Sequence, residues 1–549
     1  MKMDNETKLK QSLIPVLKEF GIEASENDIV IERSKDTAHG DYATNCAMKF
    51  AKRIGKIPHA FAEELVARLS LDFVDKIEIA GPGFINFFLK HGALTDILNK
   101  VFTQGSSFGR AERNGQKVDV EYVSANPTGD LHLGHTRCAA VGDVISSLLD
   151  WAGYDVTREY YVNDCGNQVE HLGHSIRARY HEAFGEPLDL AEDDYHGVDL
   201  IKIAEKIKEQ YGDRYLVDNQ ESHDFFIRFG IDAELEKIWK DMADFRVHFD
   251  KVTYESDIRK GGNIEKTIAK LKEQGYVYEE NGATYLATTK FLDDKDRPIV
   301  KSDGLYTYFM PDICYHYDKM SRGYSHLIDV LGADHHGYIA RMKSALMMEG
   351  YPEDCLEAQF VQVVRVYKDG EEVKMSKRTG KAIAHRELVD EVGVDAVRYF
   401  FVERSASSHL DFNYNLAMEQ SSSNPVFYSQ YAHARCASLL KLGEGIDIDT
   451  TGKMLKEPAE LAILKHLADF PSMIESAAKE REPAKVAAYV HKLAGLVHEF
   501  YAACRIIDRE NLPLTSSRLG LIKACEIVLE NGLGILGVSA PEKMSKEEL

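Results

Sequence analysis

Two short runs in this chain combine residue types that could work on a nucleotide. His132-Leu-Gly-His135 places two imidazoles three residues apart with a glycine between them. Near a helix N-terminus such a pair can donate hydrogen bonds to phosphate oxygens with the helix dipole assisting. Gly134 has no Cβ, so a flat ring such as adenine could lie against its backbone. Far downstream, Lys374-Met-Ser-Lys377 sits in the charged run Asp369–Gly380, bracketed by glycines. Two ammonium groups on such a loop could neutralise charge growing on a pyrophosphate leaving group. Taken alone, the first run reads as exposed turn histidines and the second as a solvated lysine loop.

The elements around the first run give it a place to act. Val118, Val120 and Tyr122 alternate with Asp119, Glu121 and Val123, a period-two strand pattern. Pro127, Thr128, Gly129 and Asp130 break the chain. From His135 onward Val141, Val144, Ile145, Leu148 and Trp151 recur at helical spacing, and Asp155–Val162 is again strand-like. This βαβ reading puts the histidine loop at the carboxyl end of a strand, where open parallel sheets bind ligands. Glu121, a carboxylate in a valine-rich strand, needs a cation, because a buried charge without a partner costs several kcal/mol.

Both runs have copies, His171-Leu-Gly-His174 and Lys543-Met-Ser-Lys546. The first copy follows Asn167-Gln-Val-Glu without a Pro-Thr-Gly loop or a recognisable preceding strand, and the second lies in a charged chain end without a glycine hinge. Context therefore selects 132–135 and 374–377.

Together the pair resembles the two signatures of class I aminoacyl-tRNA synthetases. The flanks Ala125-Asn-Pro-Thr-Gly129, Tyr161-Val-Asn-Asp-Cys-Gly-Asn-Gln168, Gly332-Ala-Asp-His-His-Gly337 and Gln430-Tyr-Ala-His-Ala-Arg435 resemble the arginyl-tRNA synthetase family, nearly end to end. The resemblance implies ligation of L-arginine to its tRNA through an adenylate made from ATP. It implies that His132, His135, Lys374 and Lys377 act on the phosphates, that Gly134 and Met375 bind ATP, and that Asp334 and His335 line the later ATP or arginine wall. Tyr308 and Asp312 match the positions that hold arginine's side chain, with Glu121 beside them, while Ser124 and Asn126 match the loop holding its α-amino and carboxylate end. A planar carboxylate is the natural partner of a guanidinium fork. The residues alone leave Glu121 open as a structural salt bridge and Asp312 as a helix cap. ATP implies Mg²⁺ carried on its phosphates; no metal-ligand set is visible in the sequence.

The 549 residues exceed one hydrophobic core, and 44% hydrophobic with 28% charged residues suits a soluble globular chain. The fold class expected is α/β, with three regions. Residues 1–112 read as an α/β N-terminal domain, with helices near 43–53 and 59–69 and a turn at Gly81-Pro-Gly83 entering a strand. Residues 113–423 read as a doubly wound, Rossmann-type catalytic domain, carrying a helical excursion over 171–250, an Asn281-Gly282 hairpin, and a sheet that resumes at 327–331 and 360–366. Residues 424–549 read as an all-α domain, with Val486, Val490, Leu493 and Val497 on one helix face.

The resemblance makes the first region a tRNA-recognition domain presenting Phe84 and Asn86 to a base, and the last an anticodon-binding domain using Tyr428, Tyr431 and Arg435. Aromatic rings stack on unpaired bases, though the same rings could equally pack cores. A net charge of −22 points away from nucleic acid unless the basic groups are segregated on one face. The eight scattered cysteines read as reduced packing residues. With no apolar leader or membrane span, the expectation is a cytoplasmic monomer. A synthetase for another amino acid, a nucleotidyltransferase and a silent tRNA-binding relative are the rival readings.

Overall fold

The computed structural model describes residues 5–34, 39–333, 337–373 and 383–544. The chain divides into two compact units, one of residues 1–108, 432–469 and 493–528, the other of 109–431, 470–492 and 529–549.

The first unit contains a four-stranded antiparallel sheet ordered Ile31–Arg33, Tyr42–Thr44, Phe84–Leu89, Val74–Ala80. Helices Asn5–Glu19, Cys46–Ala51 and Pro58–Val66 contribute Leu13, Phe50 and Phe61 to its core, against Phe87 of the sheet. The helix expected from Ala43 starts later, because Ala43 pairs with Asn86 inside the sheet. The Gly81-Pro-Gly83 turn joins two strands, a hairpin in which Ala80 faces Phe84.

The second unit is built on a five-stranded parallel sheet ordered Leu356–Val361, His326–Gly332, Lys117–Glu121, Asp155–Val162, Lys251–Tyr254. Chain order reverses between Lys117–Glu121 and His326–Gly332, and the crevice above that switch is where such sheets bind ligands. Val118, Asp119 and Val120 of the expected strand are all buried. A central parallel strand is covered on both sides. The following helix, Leu133–Trp151, is likewise buried almost throughout, not along one stripe. Gly142 lets it settle onto the Tyr122 ring, which a Cβ would strike.

Helices Asn167–Ala183, Val198–Tyr211 and Gln220–Asp244 form the expected excursion. The sequence reading passed over Lys251–Tyr254, an edge strand of the main sheet that directly follows it. The hairpin Val277–Glu280 and Ala283–Leu286 turns through Asn281 and Gly282 at φ 50° and 77°, both left-handed, as a type I′ turn requires. The strand expected over 360–366 is two, since Val364–Lys368 leaves the main sheet to pair with Glu371–Val373 and Leu410–Asn413. From Pro425 the described chain is helical, in Pro425–Leu442, Pro458–Ala468, Phe470–Glu480, Ala484–Ala503 and Leu512–Ile535.

Candidate active site

The loop leaving the central strand is held in a conformation that side chains normally avoid. Val123 and Ser124 have φ of 69° and 38°, which costs on the order of 1–3 kcal/mol per residue. Local bonds hold it there: Ser124 Oγ donates to Glu121 Oε1 at 2.9 Å and accepts from the Tyr161 amide at 3.1 Å. Tyr160 donates to the Ala125 carbonyl at 2.8 Å, and Asn126 Nδ2 donates to Gln168 Oε1 at 2.7 Å.

His132 then caps the helix Leu133–Trp151. Its Nδ1 accepts the Gly134 amide at 3.1 Å, while His135 Nδ1 accepts the His132 amide at 3.3 Å, with the rings stacked 3.7 Å apart. An Nδ1 that accepts leaves Nε2 carrying the proton. Burial lowers both imidazoles, His135 to about 3 with His132 and His385 assisting, so both are neutral Nε2–H donors. The Gly134 hydrogen is needed first by His132, whose ring would meet a Cβ at 2.9 Å.

These groups face a cavity of about 1160 Å³ that gathers Glu121, Ser124, Asn126, His132, Gly134, His135, Tyr308 and Asp312. Asp334, His335, Lys374, Met375 and Lys377 lie outside the described residues, as does Lys546 of the C-terminal copy. Their described neighbours Ala333, Gly337, Val373 and Ile383 line the same cavity. Ala384 pairs with His132 as an isolated antiparallel bridge, and the His385 amide donates to the Leu131 carbonyl at 2.7 Å.

Tyr308, 72% exposed, occupies the N-cap of the helix Phe309–Ser321, and Asp312 stands a turn further in. Asp312 is therefore not the cap. Among the described residues its carboxylate has no ion-pair or hydrogen-bond partner. Burial pushes it up to about 7, helped by Glu121, Glu255 and Asp329 and opposed by His316. Glu121 does find a cation, Lys319, whose Nζ lies 2.6 Å from Oε2.

Lys319 belongs to a cluster that the sequence reading missed. It is fully buried, reaching Asp329 at 3.2 Å and Asp119 at 3.3 Å. His316 bridges Asp329 at 3.0 Å, and Arg322 pairs with Glu159 at 2.8 Å. The available signal was the density of acidic residues in parallel strands, Asp119, Glu121, Glu159 and Asp329, where both faces should be apolar.

The candidate RNA-contacting residues are dispersed. Phe84 is 39% exposed, whereas Asn86 in the same strand is 4% exposed. Tyr428, Tyr431 and Arg435 are half-buried on the helix Pro425–Leu442. The Tyr428 ring lies 5.1 Å from His491, Tyr431 lies parallel to Phe427 at 6.2 Å, and Arg435 covers Tyr501 at 4.4 Å and donates to His498 at 2.8 Å. Among the described residues no group of three His, Cys, Asp or Glu could hold a metal, and no helix is long and apolar enough to cross a membrane.

A parallel sheet with this switch point and paired imidazoles capping the helix after its first strand fits a class I aminoacyl-tRNA synthetase catalytic unit, and comparison with known families shows that class. Residues 97–429 match the family described as "tRNA synthetases class I (R), catalytic domain", residues 6–89 the "Arginyl tRNA synthetase N terminal domain", and residues 429–544 the "DALR anticodon binding domain". The arginine–tRNA ligase of Geobacillus kaustophilus is 48% identical over 548 residues, 98% of each chain; that of Bacillus subtilis is 48% identical over 528 residues, 94% of each. The solved arginyl-tRNA synthetase of Thermus thermophilus is 25% identical, covers 98% of this chain and all of its own, and superposes with a TM-score of 0.76. The chain belongs to the arginyl-tRNA synthetase family, whose reaction joins arginine to tRNA through an adenylate made from ATP.

Proposed function

We propose that the cavity at 121–135 and 308–312 carries both steps of that reaction in this chain. Arginine enters with its guanidinium toward Asp312, Tyr308 and Glu121, and its α-amino and carboxylate end toward Ser124 and Asn126. The observation that carries this reading is Asp312, a cavity carboxylate with no ion-pair or hydrogen-bond partner among the described residues, on the wall with Tyr308. A guanidinium fork supplies the missing charge.

The arginine carboxylate attacks the α-phosphorus of ATP, forming arginyl-adenylate and releasing pyrophosphate. His132 and His135 donate from Nε2 to phosphate oxygens, a role neutral imidazoles fill without being charged. Lys374 and Lys377 neutralise the departing pyrophosphate, and Met375, Asp334 and His335 complete the ATP wall with Gly134. Mg²⁺ travels on the ATP phosphates, with no resident metal. The terminal adenosine 2′-hydroxyl then attacks the acyl carbon, and no side chain becomes covalently attached. Residues 1–112 and 424–549 bind tRNA, and residues 113–423 form the catalytic region. Phe84 stacks on a base with Asn86 positioning it from within the sheet, and Tyr428, Tyr431 and Arg435 present the helical surface. The protein works as a cytoplasmic monomer, and arginine activation requires bound tRNA.

Pyrophosphate exchange over a panel of amino acids, with and without tRNA, tests this. Exchange should appear with arginine and tRNA together. Exchange driven by another amino acid, or at full rate without tRNA, would refute the corresponding part.

A further inference from the structure

Asp312, His316 and Lys319 lie at i, i+4 and i+7 of the helix Phe309–Ser321, one stripe that in a buried helix is ordinarily apolar. The stripe begins at the cavity and ends beneath it. His316 Nδ1 donates to the Asp312 carbonyl at 2.8 Å and Nε2 to Asp329 Oδ2 at 3.0 Å, so its ring carries both protons. Burial opposes that charge, but Asp329 raises the imidazole above its ordinary value. Lys319 closes the chain of contacts, donating to Asp329 Oδ1 at 3.2 Å and to Glu121 Oε2 at 2.6 Å, with Asp119 Oδ1 at 3.3 Å. The hydroxyl of Ser124 holds the other Glu121 oxygen at 2.9 Å.

We infer that Lys319 is a positioning residue for the amino-acid substrate: its buried ammonium clamps Glu121 against Ser124 so that the carboxylate meets the guanidinium in one orientation. This rests on the reading of Glu121 and Asp312 as arginine's partners. Fold stability alone gives little reason for such a cluster, since apolar side chains of similar volume usually do as well or better than buried ion pairs. Nor would removing the ammonium simply leave a stronger anion for arginine. Burial already raises the Asp119 carboxyl well above the usual range despite the nearby Lys319, so losing the ammonium favours a protonated Asp119 and adds no further anion there. What is lost is the orientation of Glu121.

Lys319→Met keeps the length of the side chain and removes its charge. In tRNA-dependent pyrophosphate exchange, KM for arginine should rise roughly 10- to 100-fold, the range that loss of an outer-shell partner costs at metal sites. KM for ATP should hardly move, and inhibition by citrulline, whose urea is neutral, should weaken far less. Lys319→Arg should recover much of the arginine KM. A folded Lys319→Met variant with unchanged or lowered arginine KM, or with equal losses for arginine, citrulline and ATP, overturns the inference. If Lys319→Met does not fold, Lys319→Met with Asp329→Asn removes one charge of each sign and must show the same arginine-selective loss; parent-like arginine KM there overturns it too. Asp312→Asn separates the two layers: if it leaves arginine unaffected, the site reading itself fails, whereas an arginine-selective Asp312→Asn beside a silent Lys319→Met refutes only the clamp.

Discussion

The chain spells His-Leu-Gly-His twice in the same unit, and the two copies have opposite chemistry. Each follows a strand of the main sheet, the first Lys117–Glu121 and the second Asp155–Val162, so, contrary to expectation, a preceding strand does not distinguish the two copies. At 132–135 the histidines cap a helix, both Nδ1 atoms accept backbone amides, and both Nε2 atoms are donors. At 171–174 the helix has already begun, at Asn167, so no free amides remain to engage the rings. Asp194 takes them instead, with His171 Nδ1 3.1 Å and His174 Nδ1 2.6 Å from its two oxygens. A carboxylate only accepts, so these rings donate from Nδ1, and in the neutral ring Nε2 is left as an outward lone pair. The side chains are 37% and 43% exposed. Position relative to the helix start thus decides which nitrogen carries the proton, and among neutral rings only the first copy offers an anionic phosphate a donor.

The largest effect that separates the copies is catalytic. His135→Ala should lower the rate of adenylate formation by about 10²–10³, as loss of one preorganised donor does. His171→Ala should leave exchange unchanged and cost roughly 1–3 kcal/mol of stability, because the buried Asp194 carboxylate loses one partner while keeping His174 and the Ala191 amide. Comparable kinetic damage in both variants would erase the distinction.

A smaller effect is the pH dependence of arginine binding. Asp312 is raised to about 7 and must ionise to hold a guanidinium. Arginine KM should therefore climb about tenfold per unit as pH falls below that value and level off above it. Because binding favours the charged form, arginine should displace a proton, detectable by calorimetry in buffers of different ionisation enthalpy. His132 and His135, already neutral, should add no limb near the ordinary imidazole pKa. A limb there that disappears in His135→Ala would contradict the neutral-donor assignment.

The smallest effect is spectroscopic. Imidazole ¹⁵N shifts in the free protein near neutral pH should report Nε2–H for His132 and His135. Any neutral fraction of His171 and His174 should be Nδ1–H. The same tautomer in all four rings would break the comparison.

How far the sequence reached follows from where physical contacts are local. The strand, the Pro127–Gly129 break and the helix after it were readable because spacing within one segment determines them. So was the Asn281-Gly282 hairpin, whose two left-handed residues are set by their own chemistry. Lys319 was not, since in Tyr317-Asp-Lys-Met-Ser321 it reads as a solvated charge near a helix end; its carboxylates come from strands 198 and 10 residues away. Asn86 read as exposed beside Phe84, yet cross-strand neighbours Ala43 and Glu78 enclose it. The role of Gly134 was visible as a missing Cβ, but not that the His132 ring needs the space.

The most direct test of the account is steady-state exchange by Asp312→Asn with arginine, with citrulline as the neutral comparison. Asparagine keeps the size and one acceptor but removes the charge and the second oxygen of the fork. Removing one partner of a desolvated charge pair costs roughly 2–5 kcal/mol, so arginine kcat/KM should fall by about thirty-fold to several thousand-fold. ATP KM should change little, and the weak binding of citrulline should fall much less. An equal loss for arginine and citrulline would contradict the account, because Asp312 would then hold the helix rather than the guanidinium.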